Sequence, residues 1–211
     1  NVSPERKPAL GWYDETNPEV VDWQIKWYSE HGIGILMMDW YWNQANIRLD
    51  HWLKSFARAR WRKYLRWSVM WCNESQKPNH SAEDNRKLVR YWIDNYFTMP
   101  EYYRIDGKPV VGIFVPEHLM RDLGTQGTKD FLREARETAR EAGYKGIHFI
   151  GYFRPTDDAG RIVPIQFRGL GFDAVAIYNY YGHFGAAEAP RRYAWKHVEE
   201  TSRADWERRT K

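Results

Sequence analysis

Five short apolar runs, separated by longer helical segments, constrain the fold more than any other feature of this sequence. Each run is continuously apolar rather than alternating, which is typical of strands that are covered on both faces. The runs begin 26 to 42 residues apart, a spacing that predicts right-handed βαβ units and a mainly parallel sheet. An open doubly wound sheet and an incomplete (β/α)8 barrel both fit this count. The predicted strands are Gly34–Trp40, Trp67–Trp71, Pro109–Val115, Ile147–Phe153 and Asp173–Tyr178.

Capping residues mark helices between these runs. Asn17 and Pro18 open the first helix, and Gly32 follows its end, as expected for an N-cap, a first-turn proline and a C-terminal glycine. Trp23 and Trp27 lie four residues apart on this helix, a spacing that favours core packing over a ligand platform. The other predicted helices are one capped by Ser81, one at Leu49–Lys63, one at Lys129–Ala142 opened by Thr128, and one at Arg191–Arg209.

The composition excludes several classes of protein. With 43% hydrophobic and 28% charged residues, the chain is globular rather than disordered. No apolar run approaches the roughly 18 residues of a membrane span. Cys72 is the only cysteine, which rules out an intrachain disulfide and a thiolate metal cage. The seven histidines show no metal-ligand spacing, and no glycine-rich phosphate turn follows a strand, so neither a metal nor a cofactor is predicted.

Aromatic and polar residues gather where the predicted strands end. The chain has 12 Trp, 14 Tyr and 9 Phe, a surplus that suggests flat surfaces for a ligand. The carboxyl ends of parallel strands converge on one rim, where ligands bind. Sugars present apolar faces to aromatic rings and hydroxyls to carboxylates, amides and Arg, so a glycan is the predicted ligand. The segments that follow the five strands are 39–43, 71–74, 116–118, 152–154 and 178–181.

Two carboxylates at this rim are the candidates for catalysis. Glu74 follows the second strand and is the favoured residue, with Asp39 at the end of the first strand as its partner. A glycosidase needs such a pair on opposite sides of the scissile bond. Asp39 also fits a turn-capping role, and Glu117 with His118 fits the start of a helix better than a site.

Several segments of the chain match the pattern of one known family in the same order. They are Gly11-Trp12-Tyr13-Asp14, Asn17-Pro18-Glu19-Val20, His31-Gly32-Ile33, Asp39-Trp40-Tyr41-Trp42, Trp71-Cys72-Asn73-Glu74, Gly107-Lys108-Pro109-Val110 and Gly171-Phe172-Asp173-Ala174. Together they resemble the glycoside hydrolase family 99-like and WbsX-like proteins, which include the endo-α-mannosidases. The segment at 71–74 is similar to the family's W-A-N-E segment, and the one at 171–174 is similar to its G-F-D-(A/G) strand entry. The resemblance implies a (β/α)8 barrel that acts on α-mannosides or bacterial polysaccharide.

The chain departs from this family in two places. The family's first strand should precede Gly11, and its N-E-W-x-E-G segment, which carries the catalytic glutamates, has no match before Lys211. We therefore expect residues 1–211 to be a single barrel domain of about five βα units. It is either part of a longer parent chain or a divergent member of the group that has lost or relocated the catalytic pair. The resemblance would then make Asp14, Asp39, Asn73 and Glu74 substrate-positioning residues.

The sequence thus predicts a glycan-processing, glycoside hydrolase-like protein. The alternative is a non-catalytic protein of glycan binding or polysaccharide assembly. Single-stranded nucleic-acid binding is the weakest hypothesis, because the basic residues lie among acidic ones. The expected partner is an oligosaccharide or polysaccharide, with a secreted or periplasmic location favoured. The predicted substrate-binding residues are Tyr13, Asp14, Trp40, Tyr41, Trp42, Trp71, Asn73, Arg154, Tyr178, Asn179, Tyr180 and Tyr181.

Overall fold

Helices and strands alternate through the part of the chain that the computed structural model describes, residues 7–75, 77–152, 169–176 and 178. The helices are α1 (Pro18–Glu30), α2 (His51–Phe56), α3 (Ala82–Trp92) and α4 (Pro116–Glu141), with a 3-10 turn at Arg62–Tyr64 and a π turn at Ile93–Phe97. The strands are β1 (Ile35–Asn43), β2 (Asn46–Arg48), β3 (Arg66–Trp71), β4 (Arg104–Ile105), β5 (Lys108–Ile113), β6 (His148–Tyr152) and β7 (Ala174–Ala176).

The parallel strands lie side by side in the order in which they occur in the chain. The sheet runs β1-β3-β5-β6-β7, and every neighbouring pair in this series is parallel. A doubly wound sheet would reverse its strand order at a switch point, whereas consecutive order is that of a (β/α)8 barrel. The barrel-type α/β fold is therefore confirmed, with five parallel strands among the described residues. β2 and β4 are short antiparallel additions, to β1 and β5 respectively.

One contact shows that the sheet is curved. The Tyr178 hydroxyl donates to Oδ2 of Asp39 at 3.4 Å, although Asp39 lies on β1 and Tyr178 follows β7, four strands away. In a flat sheet these strands would be roughly 19 Å apart, at about 4.8 Å per strand. The Tyr and Asp side chains cannot bridge that distance together, so the strands curl toward each other and define a concave face.

Alternation along the strands separates a packed face from this concave face. Trp40 pairs with Trp71 across β1 and β3, and both rings contact Trp92 of α3. Asp39 and Met70 form the pair one residue earlier on the same two strands, so their side chains point to the opposite face of the sheet. The hydrophobic core thus lies between the sheet and the helices, and the concave face carries the remaining side chains.

Gly112 leaves space that the floor of the concave face requires. A Cβ atom at this position would lie 2.9 Å from Cε2 of Tyr152, 3.2 Å from Cγ of Met70 and 3.3 Å from Sδ of Met37. The first distance is shorter than real Cβ contacts and the other two are tight, so a side chain at this position would displace Tyr152 and press on both methionines.

The structure corrects two of the predicted helices. The helix predicted over Leu49–Lys63 spans only His51–Phe56, and a 3-10 turn follows at Arg62–Tyr64. Just before that turn, the Asp22 side chain of α1 accepts the backbone N–H of Trp61. Thr128 does not open a helix but lies within α4, where its hydroxyl donates to the Gly124 carbonyl. The helix begins instead at Pro116 and is kinked at Gly124, whose φ of 71° is non-helical. The predicted helix Arg191–Arg209 lies outside the described residues.

We predict that Trp40→Ala will destabilise the protein by about 3–5 kcal/mol, because it leaves a cavity in the core. Trp40 is fully buried and stacks with Trp42 and Tyr91. Trp12→Ala is the matched control, since Trp12 is 70% exposed, and we expect it to change stability by no more than about 0.5 kcal/mol. Urea unfolding of both variants measures the difference, and equal losses would contradict the assignment of Trp40 to the core.

Candidate functional site

Asp39 and Tyr178 lie together at the carboxyl rim of the concave face, with Phe114 beside them. Besides its contact with Asp39, the Tyr178 ring packs edge-on against Phe114 at 4.7 Å between centroids. Tyr178 is 47% exposed, so an apolar surface remains open next to the carboxylate. The structure thus unites two residues predicted from different strand ends, and it adds Phe114, which the sequence did not single out.

The surroundings of Asp39 favour its protonated form. Partial burial raises the pKa of Asp39, and the hydrogen bond from Tyr178 opposes this rise only in part. The negative charge of Asp39 in turn raises the pKa of Tyr178. A carboxyl group that retains its proton more strongly than usual is suited to donate it to a leaving group.

Cys72 and Tyr41 extend this cluster as neutral groups. Burial, and then the charge of Asp39, raise the pKa of Cys72 to about 12. The neighbouring Cys72 is the largest cause that raises the pKa of Tyr41, also to about 12. Cys72 is therefore a thiol at neutral pH and unsuited to nucleophilic attack, because the thiolate is the reactive form. The sequence analysis considered Cys72 for disulfides and for a thiolate metal cage and did not include it among the site residues, although it directly follows β3.

The three tryptophans predicted to bind the ligand lie in the core instead. Trp40, Trp42 and Trp71 are buried between the sheet and α3. The Trp42 indole N–H donates to Asp84 of α3 at 3.0 Å, and Trp71 packs against Phe131 of α4. Their parity along the strands turns them away from the concave face, so they do not offer stacking surfaces to a ligand.

Asn73 joins two loops at the rim rather than projecting toward a ligand. Its Nδ2 donates to the Val115 carbonyl and its Oδ1 accepts the Val115 N–H, each at 2.8 Å. This buried amide mimics one rung of a sheet between the ends of β3 and β5. Glu74, the next residue, is exposed, so the fixed amide sets the position from which the Glu74 side chain extends.

An ion pair on α4 anchors the rest of the β3–α3 loop, which we define as residues 72–81. Arg121 donates to the carbonyls of Ser75 and Lys77, while Asp122 accepts the backbone N–H groups of Asn79 and His80. The His80 ring and Arg121 also donate to Asp122.

The charges in this anchor are stabilised by hydrogen bonds. Burial by itself would raise the pKa of Asp122, but the bonds from Arg121, Asn79 and His80 hold that pKa far below its usual range. Burial lowers the pKa of His80, so a neutral imidazole donates to an ionised carboxylate. His118 accepts the Ser75 N–H at 3.2 Å and lies with Glu117 in the first turn of α4, which confirms their predicted place at a helix start.

Tyr13 and Asp14 lie before α1, in a turn that Asp14 stabilises. Asp14 Oδ1 accepts the Thr16 N–H at 2.9 Å, and this bond lowers the pKa of Asp14. Tyr13 is exposed. No hydrogen bond between described residues connects either of them to Asp39. The predicted residues Arg154, Asn179, Tyr180 and Tyr181 lie outside the described part of the chain.

Two other features of the described ranges bear on the predicted ligands. No group of three or more His, Cys, Asp or Glu side chains there is arranged to hold a metal ion. None of the helices in these ranges is long and apolar enough to cross a membrane.

A curved, consecutively ordered parallel sheet with an acidic and aromatic rim defines a barrel-type α/β protein. The chain belongs to the family described as glycosyltransferase WbsX, whose model matches residues 2–203. The predicted resemblance to family 99-like and WbsX-like proteins is therefore confirmed.

Two solved structures share this fold, and a curated protein is similar in sequence. The GH99 endo-alpha-mannosidase from Bacteroides thetaiotaomicron superposes with a TM-score of 0.57 at 18% identity, over 94% of this chain and 54% of that chain. Its complex with BIS-TRIS-propane gives 0.58 at 19% identity, over 94% and 57%. The uncharacterized protein WxcX of Xanthomonas campestris pv. campestris strain B100 is 25% identical over 186 residues. That match covers 80% of this chain but only 24% of WxcX, so the chain spans about a quarter of its relative.

We predict that Asp122→Asn will destabilise the protein by about 2–4 kcal/mol at pH 7, since it removes the charge that buried donors share. The loss should shrink as the pH falls below about 4. Asp122 of the unfolded wild type then takes up a proton while Asp122 of the folded protein stays ionised, so the stability that the ionised carboxylate contributes declines. Glu137→Gln is the control: its exposed pair with Arg133 contributes little. Urea unfolding at pH 7 and pH 3 measures both, and a constant difference would contradict this account.

We predict that Asp39→Asn will melt at the same temperature as the wild type or higher at pH 7. The raised pKa of Asp39 means that its ionised form is disfavoured in the folded protein. Asn removes this penalty, and the two proteins should converge below about pH 4, where Asp39 is protonated in both states. Calorimetry across this pH range tests the sign, and a lower melting temperature for the variant at pH 7 would refute it.

Proposed function

We propose that this protein processes glycans at the concave rim and cleaves a glycosidic bond there. The contact between Asp39 and Tyr178 is the observation that carries the proposal. It places an acid beside an aromatic ring at the carboxyl ends of the strands, where barrel proteins bind their substrates. The mannosidase named above shares this fold, which supports α-mannosides or bacterial polysaccharide as the substrate class.

The environments of the two carboxylates suggest different roles. Asp39, whose pKa is raised, protonates the oxygen of the departing sugar as general acid. Glu74 is exposed on the neighbouring loop and serves as the partner carboxylate. It acts either as a nucleophile that attacks the sugar carbon or as a base that removes a proton from the attacking water. A separation of about 5–5.5 Å between the carboxyl groups would retain configuration, and about 6.5–9.5 Å would invert it.

The ring of Tyr178 supplies a stacking surface for the sugar. Its exposed face lies next to the proton donor, while Phe114 fixes its orientation from the edge. Tyr41, held neutral beside Cys72, contributes a hydroxyl that exchanges hydrogen bonds with the sugar. The proposed site therefore combines apolar contact with donors and acceptors, as carbohydrate recognition requires.

A second candidate is glycosyl transfer or glycan binding in polysaccharide assembly. The family description, glycosyltransferase WbsX, favours it. A sugar hydroxyl would then take the place of water as the acceptor, or the glycan would be held without reaction. Release of reducing ends indicates hydrolysis, whereas elongated products indicate transfer.

We predict that Glu74→Gln and Asp39→Asn will each lower glycan turnover at least about 100-fold, because each removes one half of the acid–base pair. Reducing-end release from α-mannan and from bacterial polysaccharide, with melting temperatures recorded in parallel, measures the effect. Glu83→Gln is the matched control, since Glu83 is an exposed carboxylate on α3 paired with Lys87.

Unchanged turnover in both variants would exclude these residues from catalysis. Equal glycan affinity without turnover for the wild type and Glu74→Gln would favour the non-catalytic alternative.

A further inference from the structure

A cleft of about 320 Å³ lies between α3 and α4, in the helical layer that covers the packed face of the sheet. We call it the α3–α4 cleft. Asn85 and Val89 line it from α3, and Phe131 and Ala135 line it from α4. Each pair is spaced four residues apart, so its two members lie on one face of their helix. The volume is within the range of small-ligand sites, about 300–1,000 Å³.

Asn85 is a buried amide without a partner. The residue is 1% exposed, and neither Nδ2 nor Oδ1 of its side chain has a hydrogen-bond partner among the described residues. Buried amides are normally paired, because an unpaired one opposes folding. The backbone of Asn85 is held by the helix, since its N–H donates to the Ser81 carbonyl at 2.9 Å. The side chain therefore has both a donor and an acceptor to offer to a ligand in the cleft.

Asn73 shows which group satisfies such an amide. Its Nδ2 donates to the Val115 carbonyl and its Oδ1 accepts the Val115 N–H, each at 2.8 Å. This pairing needs an N–H and a C=O that lie side by side, as in one residue of an extended peptide or in a cyclic amide. The same group would satisfy both polar atoms of Asn85 at once.

The rest of the lining favours a neutral, partly apolar ligand. Val89, Phe131 and Ala135 are buried hydrophobic residues. The charged side chains of the lining have ion-pair partners: Arg86 pairs with Glu134 across the two helices at 3.7 Å, and Asp130 pairs with Arg133 at 3.2 Å. Because these charges are already compensated, the cleft favours a neutral ligand over a charged one.

Gly127 leaves room in the wall that α4 contributes. The helix is kinked at Gly124, and a Cβ atom at Gly127 would lie only 2.9 Å from Cβ of Leu123. A side chain at this position would therefore force the helix to shift. Glycine avoids that clash, and it leaves this part of the lining without a side chain.

We propose that the α3–α4 cleft binds a neutral ligand that presents an N–H and a C=O side by side on an apolar body. Asn85 Oδ1 accepts the ligand N–H, and Asn85 Nδ2 donates to the ligand carbonyl. The apolar body packs against Val89 and Phe131. This site shares no residue with the rim and does not rest on the function proposed for it.

Titration of the wild type, followed by NMR, tests the proposal with two amides and their matched esters. The first amide is N-acetyl-L-valine N-methylamide, and its ester has an oxygen in place of the valine N–H. The second pair is δ-valerolactam and δ-valerolactone. We expect the amide to bind at least about tenfold more tightly than its ester, because the ester leaves Asn85 Oδ1 unpaired. This preference in the valine pair assigns a peptide residue as the ligand, and in the lactam pair it assigns a cyclic amide.

Asn85→Leu removes both polar atoms at a similar side-chain volume. We expect it to bind the preferred amide at least about tenfold more weakly, and to melt at the same temperature as the wild type or a few degrees higher. Asn95→Leu is the matched control, since Asn95 is exposed and its Nδ2 donates to the Tyr91 carbonyl. Trp23→Ala controls for stacking on open rings: the sequence predicted Trp23 in the core, but it is 48% exposed. Both controls should bind as the wild type does.

Three results would overturn the proposal. The first is equal affinity for amide and ester in both pairs, a comparison that needs no variant. The second is titration that leaves the backbone amide signals of Gly127 and Ala135 unchanged, which would place the ligand outside the cleft. The third is a melting temperature of Asn85→Leu more than about 5 °C below that of the wild type without ligand, which would show that the amide is already bonded within the folded chain.

Discussion

The packing of tryptophan rings between the sheet and the helices is the constraint on which the rest of the structure depends. Trp40 and Trp71 are paired neighbours on adjacent strands, and both meet Trp92 of α3. Because side chains alternate along a strand, burying these rings on one face commits Asp39 and Met70 to the other. The concave face, its acid and its open aromatic ring therefore follow from how the core is packed.

The site combines a fixed framework with one disfavoured charge. Asn73 bonds to the backbone of Val115, and Arg121 and Asp122 bond to backbone groups of the β3–α3 loop, so side-chain hydrogen bonds hold this wall of the site in place. Asp39 instead lies where its ionised form is poorly solvated. Such an arrangement is expected where a reactive group must be poised for chemistry while its supports remain in place.

The sequence predicts the positions of the strands well because continuous apolar runs are a strong signal. Such runs carry no information on phase, however: both faces are covered, so the pattern does not reveal that Trp40 faces α3 and Asp39 faces the concavity. The partners of Asn73 and His80 lie 42 residues away and were unpredictable from local patterns. Strand β2 was missed because its turn uses Gln44 and Ala45, both with positive φ, where glycine or asparagine is usual.

The hairpin of β1 and β2 also determines what else the edge of the sheet can accept. β2 occupies the outer side of β1 from Tyr41 to Asn43, while the segment from Ile35 to Trp40 pairs, among the described strands, with β3 alone. Any strand added there has at most six residues of template before it meets β2. The hairpin therefore stops the pairing of any added strand at Trp40. It limits both the length of such a strand and its register along β1.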